Sequence, residues 1–473
     1  MALENKKNEN FGEWYLELVQ KAQLMEYSPI QGCMIIRPRA YFVWQQIQDF
    51  LNNKFAEEGV QNAYFPMFIP ESMLKKEASH FAGFTPEVAW VTKGGNEDLS
   101  EPLALRPTSE TIIYSTYAKW VSSHRDLPLL LNQWANIIRW DTKTLKPFLR
   151  TREFLWQEGH TAHASREDAE AMVAKALNWY REVCQDLLAM PVMAGVKSRS
   201  ETFPGAEYTT TVEALMPDGK ALQCGTSHNL GQSFSKMFDV KYKTNDEKQE
   251  YCWMTSWGVS TRLIGAAIML HSDDKGLVLP PKIAQVQVVI VPIFKDLEEK
   301  KMALLSANKI VLQLREKGVR VHVDDREDKS PGFKFNEWEL YGVPVRIEIG
   351  LRDLAKQGVT IARRDGIDKD FVSEEKVIDF VLNAMQDIQT NLFSRAKLFL
   401  DSSIIFADQY KDLKIGLEHK KLVQAYCCDE AAEEIIKQDT QATSRLIELT
   451  KEEGKCVITG KPTKSMHYFA KSY

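Results

Sequence analysis

Cysteine is scarce in this chain: seven residues in 473, at positions 33, 184, 224, 252, 427, 428 and 456. So odd and scattered a set excludes the paired framework of a disulfide-built secreted domain and points to a reducing compartment. Long apolar runs are lacking too. None approaches the ~20 residues a membrane-crossing helix needs, and residues 1–15 contain no apolar signal-like core. The expectation is a cytoplasmic protein with no membrane attachment. Neither sign of charge dominates, since 60 Lys and Arg stand against 65 Asp and Glu for a net −5. Composition therefore does not advertise a nucleic-acid binder, although a local basic face suffices for phosphate contacts. Internal repeats and low-complexity segments are missing, which excludes a repeat architecture.

What is present is ordinary globular material, 44% hydrophobic and 26% charged, in a chain long enough for roughly two to four domains. Residues 147–163, PFLRTREFLWQEGHTAH, stand out. If they form a strand, Phe154, Trp156, Glu158 and His160 share one face, which then carries an aromatic wall, a carboxylate and an imidazole. In isolation this stretch reads more readily as a half-buried strand with charges toward solvent. Its neighbours argue otherwise: RPTSET (106–111), IIRW (137–140), QCGTSHNLG (223–231) and WGVSTR (257–262). Arg139, Arg150 and Arg262 supply three guanidiniums of the kind that clamp a polyphosphate.

These segments resemble the three signature motifs of class II aminoacyl-tRNA synthetases, and specifically the prolyl-tRNA synthetase family in its shorter, archaeal and eukaryote-like branch. The resemblance runs from about residue 27 to 473. It implies an α+β multidomain fold: an antiparallel-sheet catalytic core with helices (1–280), an α/β anticodon-binding domain (281–395) and a small α+β C-terminal domain (396–473). The helix expected from about residue 39 to 58 and the proline-broken strand after it match motif 1, which builds a dimer interface; as a pattern they serve equally as a core helix and strand. Ahead of the next helix, Thr108 or Ser109 is the expected N-cap. The resemblance gives Thr108 and Glu110 a second task, holding the amino acid.

By the same resemblance, Arg139 contacts both the proline carboxylate and the ATP α-phosphate. Asp141 stands near adenine where the family usually has Glu. Arg150, Thr151, Gln223, Thr226, Ser260 and Arg262 complete the ATP set, with Gln223 also on magnesium. Trp156, Glu158, His160, Phe203 and His228 line the proline pocket, with Glu207 turned toward it. The substrates implied are L-proline, ATP with Mg2+, and tRNA(Pro), handled by a homodimer. About ninety residues separate His160 from Trp253, too few for the expected segments plus an inserted editing domain of ordinary size.

Beyond residue 280, VQVVIVPI, a helix, VRVHVDD, a second helix and VPVRIEIG alternate as β-α-β-α-β. No glycine-rich phosphate loop follows the first strand. Glu339, Arg346 and Arg352 match positions that read anticodon guanines, and guanidinium and carboxylate are suitable partners for guanine edges. Near the end, relatives hold zinc with four cysteines. Here CCDEAAEE puts Ala432 at one ligand position and GKCVITGK puts Thr459 at another. The expectation is no zinc, a core packed by Ile435, Ile436, Leu446, Ile447 and Leu449, and Tyr473 folded back toward the catalytic domain. Two rivals stand beside the enzyme reading. A tRNA-binding regulatory relative tends to lose a motif arginine, and a threonyl or histidyl enzyme is the other; the threonine site needs a Cys-His-His metal set not seen here.

Overall fold

The computed structural model of the chain describes residues 2–80, 87–140, 142, 144–366 and 368–473. Its centre is an antiparallel sheet whose strands run, in spatial order, Met193–Val196, Tyr208–Leu215, Lys220–Gly231, Trp253–Ser260, Glu153–His163 and Leu129–Ile138. Gln61–Asn62 adds a short parallel edge to the last of these. One face is packed by the helices Phe11–Lys21, Pro38–Glu57, Arg166–Glu182 and Arg262–His271, which bury Trp14, Tyr15, Trp44, Ile47, Leu51 and Trp179 in one continuous core. The helix Phe11–Lys21 starts where Asn10 accepts from the Glu13 amide, a side-chain cap that satisfies one orphan donor of the first turn.

The three strands that carry the sequence motifs are locked in register. Trp257 pairs with Gly159 and Ser256 with His160, while Ser227 pairs with Trp257. The indole of Trp257 lies against Gly159, where an added Cβ would fall 2.3 Å from ring atoms. Any side chain at residue 159 would have to move the ring or the strand.

A second sheet holds the α/β unit. Val288–Pro292 lies between its parallel neighbours Val321–Val323 and Val345–Ile349, and Gly358–Arg363 and Lys369–Ser373 follow antiparallel. Helices Leu297–Glu316 and Val377–Ser403 bury Ala303, Ile310, Val381 and Ile388 against it. The expected division at residue 395 falls inside Val377–Ser403, so one helix serves both units.

The C-terminal strands are not isolated. Thr443–Lys455 meets Met193–Val196 through Ile447 and Val196, and Pro462–Ser472 pairs in parallel with the start of Lys220–Gly231. Within this unit Ile436 and Leu446 are buried, but Ile435 is 43% exposed. Its neighbour Ile436 takes the inward position of the helix Glu430–Thr440, because consecutive helical residues point about 100° apart. Cys427 and Cys456 are buried, and the Cys428 thiol stands 3.3 Å from the Thr459 hydroxyl. This donor set does not suit a closed zinc site, and among the described residues no group of three His, Cys, Asp or Glu side chains could hold a metal ion. Nor is any described helix long and apolar enough to cross a membrane.

Buried histidines, His163 and His467 among them, give the long sheet a pH signature. Burial pushes His163 and His467 down to about 4, whereas an unfolded imidazole titrates near 6.5. The unfolded chain binds protons that the folded chain refuses, so their contribution is complete above about pH 6.5 and is lost as pH falls toward 4. The expected outcome is a melting temperature that drops between pH 7 and 4.5. A His467→Gln variant should show a shallower drop, measured by calorimetry across that range.

Candidate active site

Strand pleating delivers the site. On Glu153–His163, residues 154, 156, 158 and 160 all project into one cavity above the sheet, as period-two alternation dictates. The next two strands contribute Gln223, Thr226, His228, Ser256 and Ser260. Thr108 and Glu110 reach it from the loop and first turn of the helix Glu110–Trp120, and Arg262 from the first position of Arg262–His271. Phe203 and Arg139 complete the wall. A second cavity, lined by Arg139, Arg150, Thr151, Ser260 and Arg262, adjoins the first and shares three of those side chains with it. Asp141 lies outside the described residues.

At one end of the pair of cavities sits a buried polar chain. Glu158 faces His160 Nε2 at 3.0 Å, and the other imidazole nitrogen lies 2.9 Å from the Tyr114 hydroxyl. The second carboxylate oxygen of Glu158 accepts from Ser109 Oγ and, at 2.8 Å, from the Gln133 amide. Thr108 donates to Glu110. Burial opposes the charge on Glu158, yet hydrogen bonds from His160, Ser109 and Gln133 outweigh it and hold the carboxyl below its usual range. Burial likewise opposes the charge on His160, but Glu158 and Glu110 draw its pKa up. His228, its ring tilted 35° against Phe203 at 4.8 Å, goes the other way: burial and the nearby His160 push it down to about 3. One imidazole is thereby biased to the cation and the other to the neutral form.

The opposite end is cationic. Arg262 hydrogen bonds the carbonyls of Leu149 and Gln223 at 3.2 and 3.4 Å. Burial, with Arg139 and Arg150 as like-charged neighbours, pulls its pKa down to about 10. Arg139 lies over Phe154 and Trp156 at 5.6 and 5.7 Å, a stacking that directs its guanidinium between the two ends. Arg150 meets the backbone oxygen of Tyr473 at 3.2 Å, and the Tyr473 hydroxyl donates to Asp218 at 2.6 Å, so the chain's last residue does reach the catalytic core. Two buried polar atoms of the first cavity, Trp156 Nε1 and Ser256 Oγ, have no hydrogen-bond partner among the described residues. Atoms of that kind mark where a ligand's polar groups fit.

Two placements, those of Ser109 and Glu207, differ from the sequence reading. Ser109 stands at the N-cap of its helix but makes no side-chain cap bond, because its hydroxyl turns to Glu158; a buried carboxylate is the stronger acceptor. Glu207 is drawn to Arg166 at 3.2 Å and does not line the cavity. Glu339 and Arg346 share a small cleft, 3.7 Å apart, with Arg346 over Phe335. Arg352 is exposed on the next helix, Leu351–Ala355, and is not part of that cleft. The sequence reading missed Gln133, Tyr114, Thr209 and Glu201. Gln133 and Tyr114 lie in ordinary strand and helix patterns, and only the fold brings them to Glu158 and His160.

Gln133 also accepts from the Phe65 amide at 2.5 Å, so it ties the motif 1 segment to the buried carboxylate. Gln133→Leu takes the acceptor from the buried Phe65 amide and one of three donors from Glu158, and a buried group left unpaired costs about 1–3 kcal/mol. Urea unfolding should show a loss of at least that size; a midpoint within error of the parent would contradict the network.

The residues that build this geometry also place the chain among known proteins. A family model for the tRNA synthetase class II core domain (G, H, P, S and T) matches residues 90–271. One for an anticodon binding domain matches 287–384, and one for the prolyl-tRNA synthetase C-terminal region matches 410–473. The proline–tRNA ligase of Natranaerobius thermophilus is 48% identical over 96% of this chain and 94% of its own. That of Alkaliphilus oremlandii is 49% identical over 98% and 96%. The solved prolyl-tRNA synthetase of Cryptosporidium parvum, complexed with halofuginone and AMPPNP, superposes with a TM-score of 0.96 at 43% identity, covering 100% of this chain and 99% of that one. The bacterial sources of the curated relatives do not assign the chain to the archaeal and eukaryote-like branch. With family models spanning its core, its α/β unit and its C-terminus, and with relatives aligned almost end to end, the chain belongs to the prolyl-tRNA synthetase family of class II aminoacyl-tRNA synthetases.

Proposed function

We propose that the chain activates L-proline with ATP and transfers the prolyl group to the 3′ end of tRNA(Pro). The observation that carries this is the two-ended site: buried carboxylates beside an aromatic wall at one end, three guanidiniums at the other, and Arg139 between them. An amino acid zwitterion fits across it. The secondary ammonium has two N–H donors and a positive charge for Glu110 and Thr108, while the pyrrolidine ring lies against Trp156 and Phe203. Glu158 and His160 form the floor, and neutral His228 the flank.

The carboxylate, held toward Arg139, attacks the α-phosphorus of ATP in line. The bond to the β-phosphate bridging oxygen breaks, and prolyl-adenylate and pyrophosphate result. Arg139, Arg150 and Arg262 spread the phosphate charge, with Thr151, Gln223, Thr226 and Ser260 as polar partners and Asp141 near adenine. Gln223 would help hold a magnesium ion, which would offset the phosphate charge of ATP. A terminal ribose hydroxyl of tRNA then takes the prolyl group and releases AMP. No side chain acts as a nucleophile; catalysis is positioning together with electrostatic stabilisation. Like-charge crowding at Arg262 supports this end of the reading, since a polyanion relieves it.

Several finer features belong to the same proposal. Glu339, Arg346 and Arg352 contact the anticodon. The units divide at residues 280 and 395, the second division being bridged by a shared helix. The enzyme is a cytoplasmic homodimer of the shorter branch, holds no zinc, and carries no inserted editing domain. The short span from His160 to Trp253 supports both the branch and the missing insertion.

Two kinds of variant separate the halves of the reaction. Arg262→Ala should cut proline-dependent pyrophosphate exchange more than about tenfold, ~1.4 kcal/mol in barrier, with tRNA affinity retained. Arg346→Ala and Arg352→Ala should raise the tRNA KM and leave tRNA-independent exchange near normal. Exchange falling in parallel in the latter pair would move those residues out of anticodon recognition.

A further inference from the structure

The cavity wall that carries Phe203 is built on a short turn, Arg199–Glu201, between the strands Met193–Val196 and Tyr208–Leu215. Its far side is fastened by the Phe203 amide, which donates to Thr209 Oγ1 at 3.0 Å; the same hydroxyl lies 2.8 Å from His228 Nδ1. Phe203 and His228 therefore share one anchor. The near side is held from the C-terminal unit. Glu433, buried in the first turn of the helix Glu430–Thr440, accepts from Ser200 Oγ at 2.7 Å, and Ser200 lies 3.0 Å from Ser198 Oγ. Thr202 donates back to the Ser198 carbonyl at 2.9 Å, which passes the constraint along the turn toward Phe203.

A second tie lies just before the turn. Lys197 donates to Glu213 at 2.8 Å, and the other Glu213 oxygen takes Arg445 from the C-terminal strand Thr443–Lys455 at 2.9 Å. All three groups are buried. Burying a carboxylate such as Glu433 is costly unless its hydrogen bonds are made. One Glu433 oxygen lies 3.6 Å from His467 Nδ1 in its own unit; the other takes the Ser200 hydroxyl of a turn that lines the substrate cavity.

We propose that Glu433 is a positioning residue for the amino-acid end of the active site: through Ser200 it fixes the turn that sets Phe203 against His228. The C-terminal unit thereby contributes to how closely the ring of the amino acid is enclosed, although Glu433 itself touches no substrate. This rests on the proline-pocket reading of Phe203. Loosening the turn affects ground-state capture of the amino acid and leaves the phosphate end, held by other elements, as it was.

The test is steady-state pyrophosphate exchange with the full-length chain, varying L-proline and ATP separately. Glu433→Ala and Ser200→Ala should each raise the proline KM by about tenfold, the factor equivalent to one hydrogen bond's net worth. The ATP KM and kcat should stay within about twofold. The double variant should be no worse than either single one, because both remove the same interaction. Glu433→Gln, which keeps an acceptor for Ser200, should restore the parent KM. Ser200→Ala replaces no residue of the C-terminal unit, so it reports even where Glu433→Ala fails to fold. Equal rises in both KM values, or lowered melting temperature with unchanged KM, would overturn the proposal. Phe203→Ala distinguishes the levels. If it leaves the proline KM unchanged, the pocket reading fails; if it raises it while Ser200→Ala does not, only the positioning role falls.

Discussion

The register of three antiparallel strands is the constraint on which the site depends. Side chains alternate strictly across a sheet, so a one-residue slip would turn Trp156, Glu158 and His160 to the helical face and bring Leu155, Gln157 and Gly159 into the cavity. Trp257 guards against that slip. It lies on Gly159 across the ladder and meets Phe55, Trp179 and Tyr180 at ring separations of 5.3, 5.6 and 6.5 Å. One indole thus joins the sheet to the helices Pro38–Glu57 and Arg166–Glu182. The hydrophobic core beneath and the polar cavity above are two faces of the same pairing.

Electrostatics follow from that placement. Carboxylates gather at one end and guanidiniums at the other, and burial keeps either set from being screened by bulk water. Such an arrangement costs stability within the chain, as the lowered pKa of Arg262 records. The return is a site already organised for a zwitterion and a polyphosphate, with little reorganisation left for the moment of reaction. Partners behind the cavity hold Glu158 and His160 in place, Gln133 and Ser109 on the first and Tyr114 on the second, while Thr209 in the cavity wall holds His228.

Much of this was legible from the sequence, for a physical reason. Phe154, Trp156, Glu158 and His160 are neighbours in sequence, and a period of two places them on one face without any knowledge of the rest. Arg262 at a helix start and the β-α-β alternation after residue 280 are local signals as well. What the sequence hid depends on distant segments meeting. Nothing around Gln133 announces Phe65 or Glu158, and Ser109 reads as a cap until a buried carboxylate is found beside it. Ile435 and Ile436 are indistinguishable by composition, and only helix phase decides which is buried. The joining of the C-terminal strands to the catalytic sheet, with Glu433 and Arg445 crossing the seam, is tertiary; the family resemblance anticipated only the return of Tyr473.

The central claim is that this cavity selects proline and joins it to adenylate. Amino-acid-dependent exchange of pyrophosphate into ATP, run separately with each of the twenty amino acids, tests it most directly. The account predicts strong exchange with proline and weak exchange with the smaller alanine and cysteine, because a pocket distinguishes a missing methylene by only ~1–3 kcal/mol. Exchange with none of them, or exchange led by threonine or histidine, would contradict it.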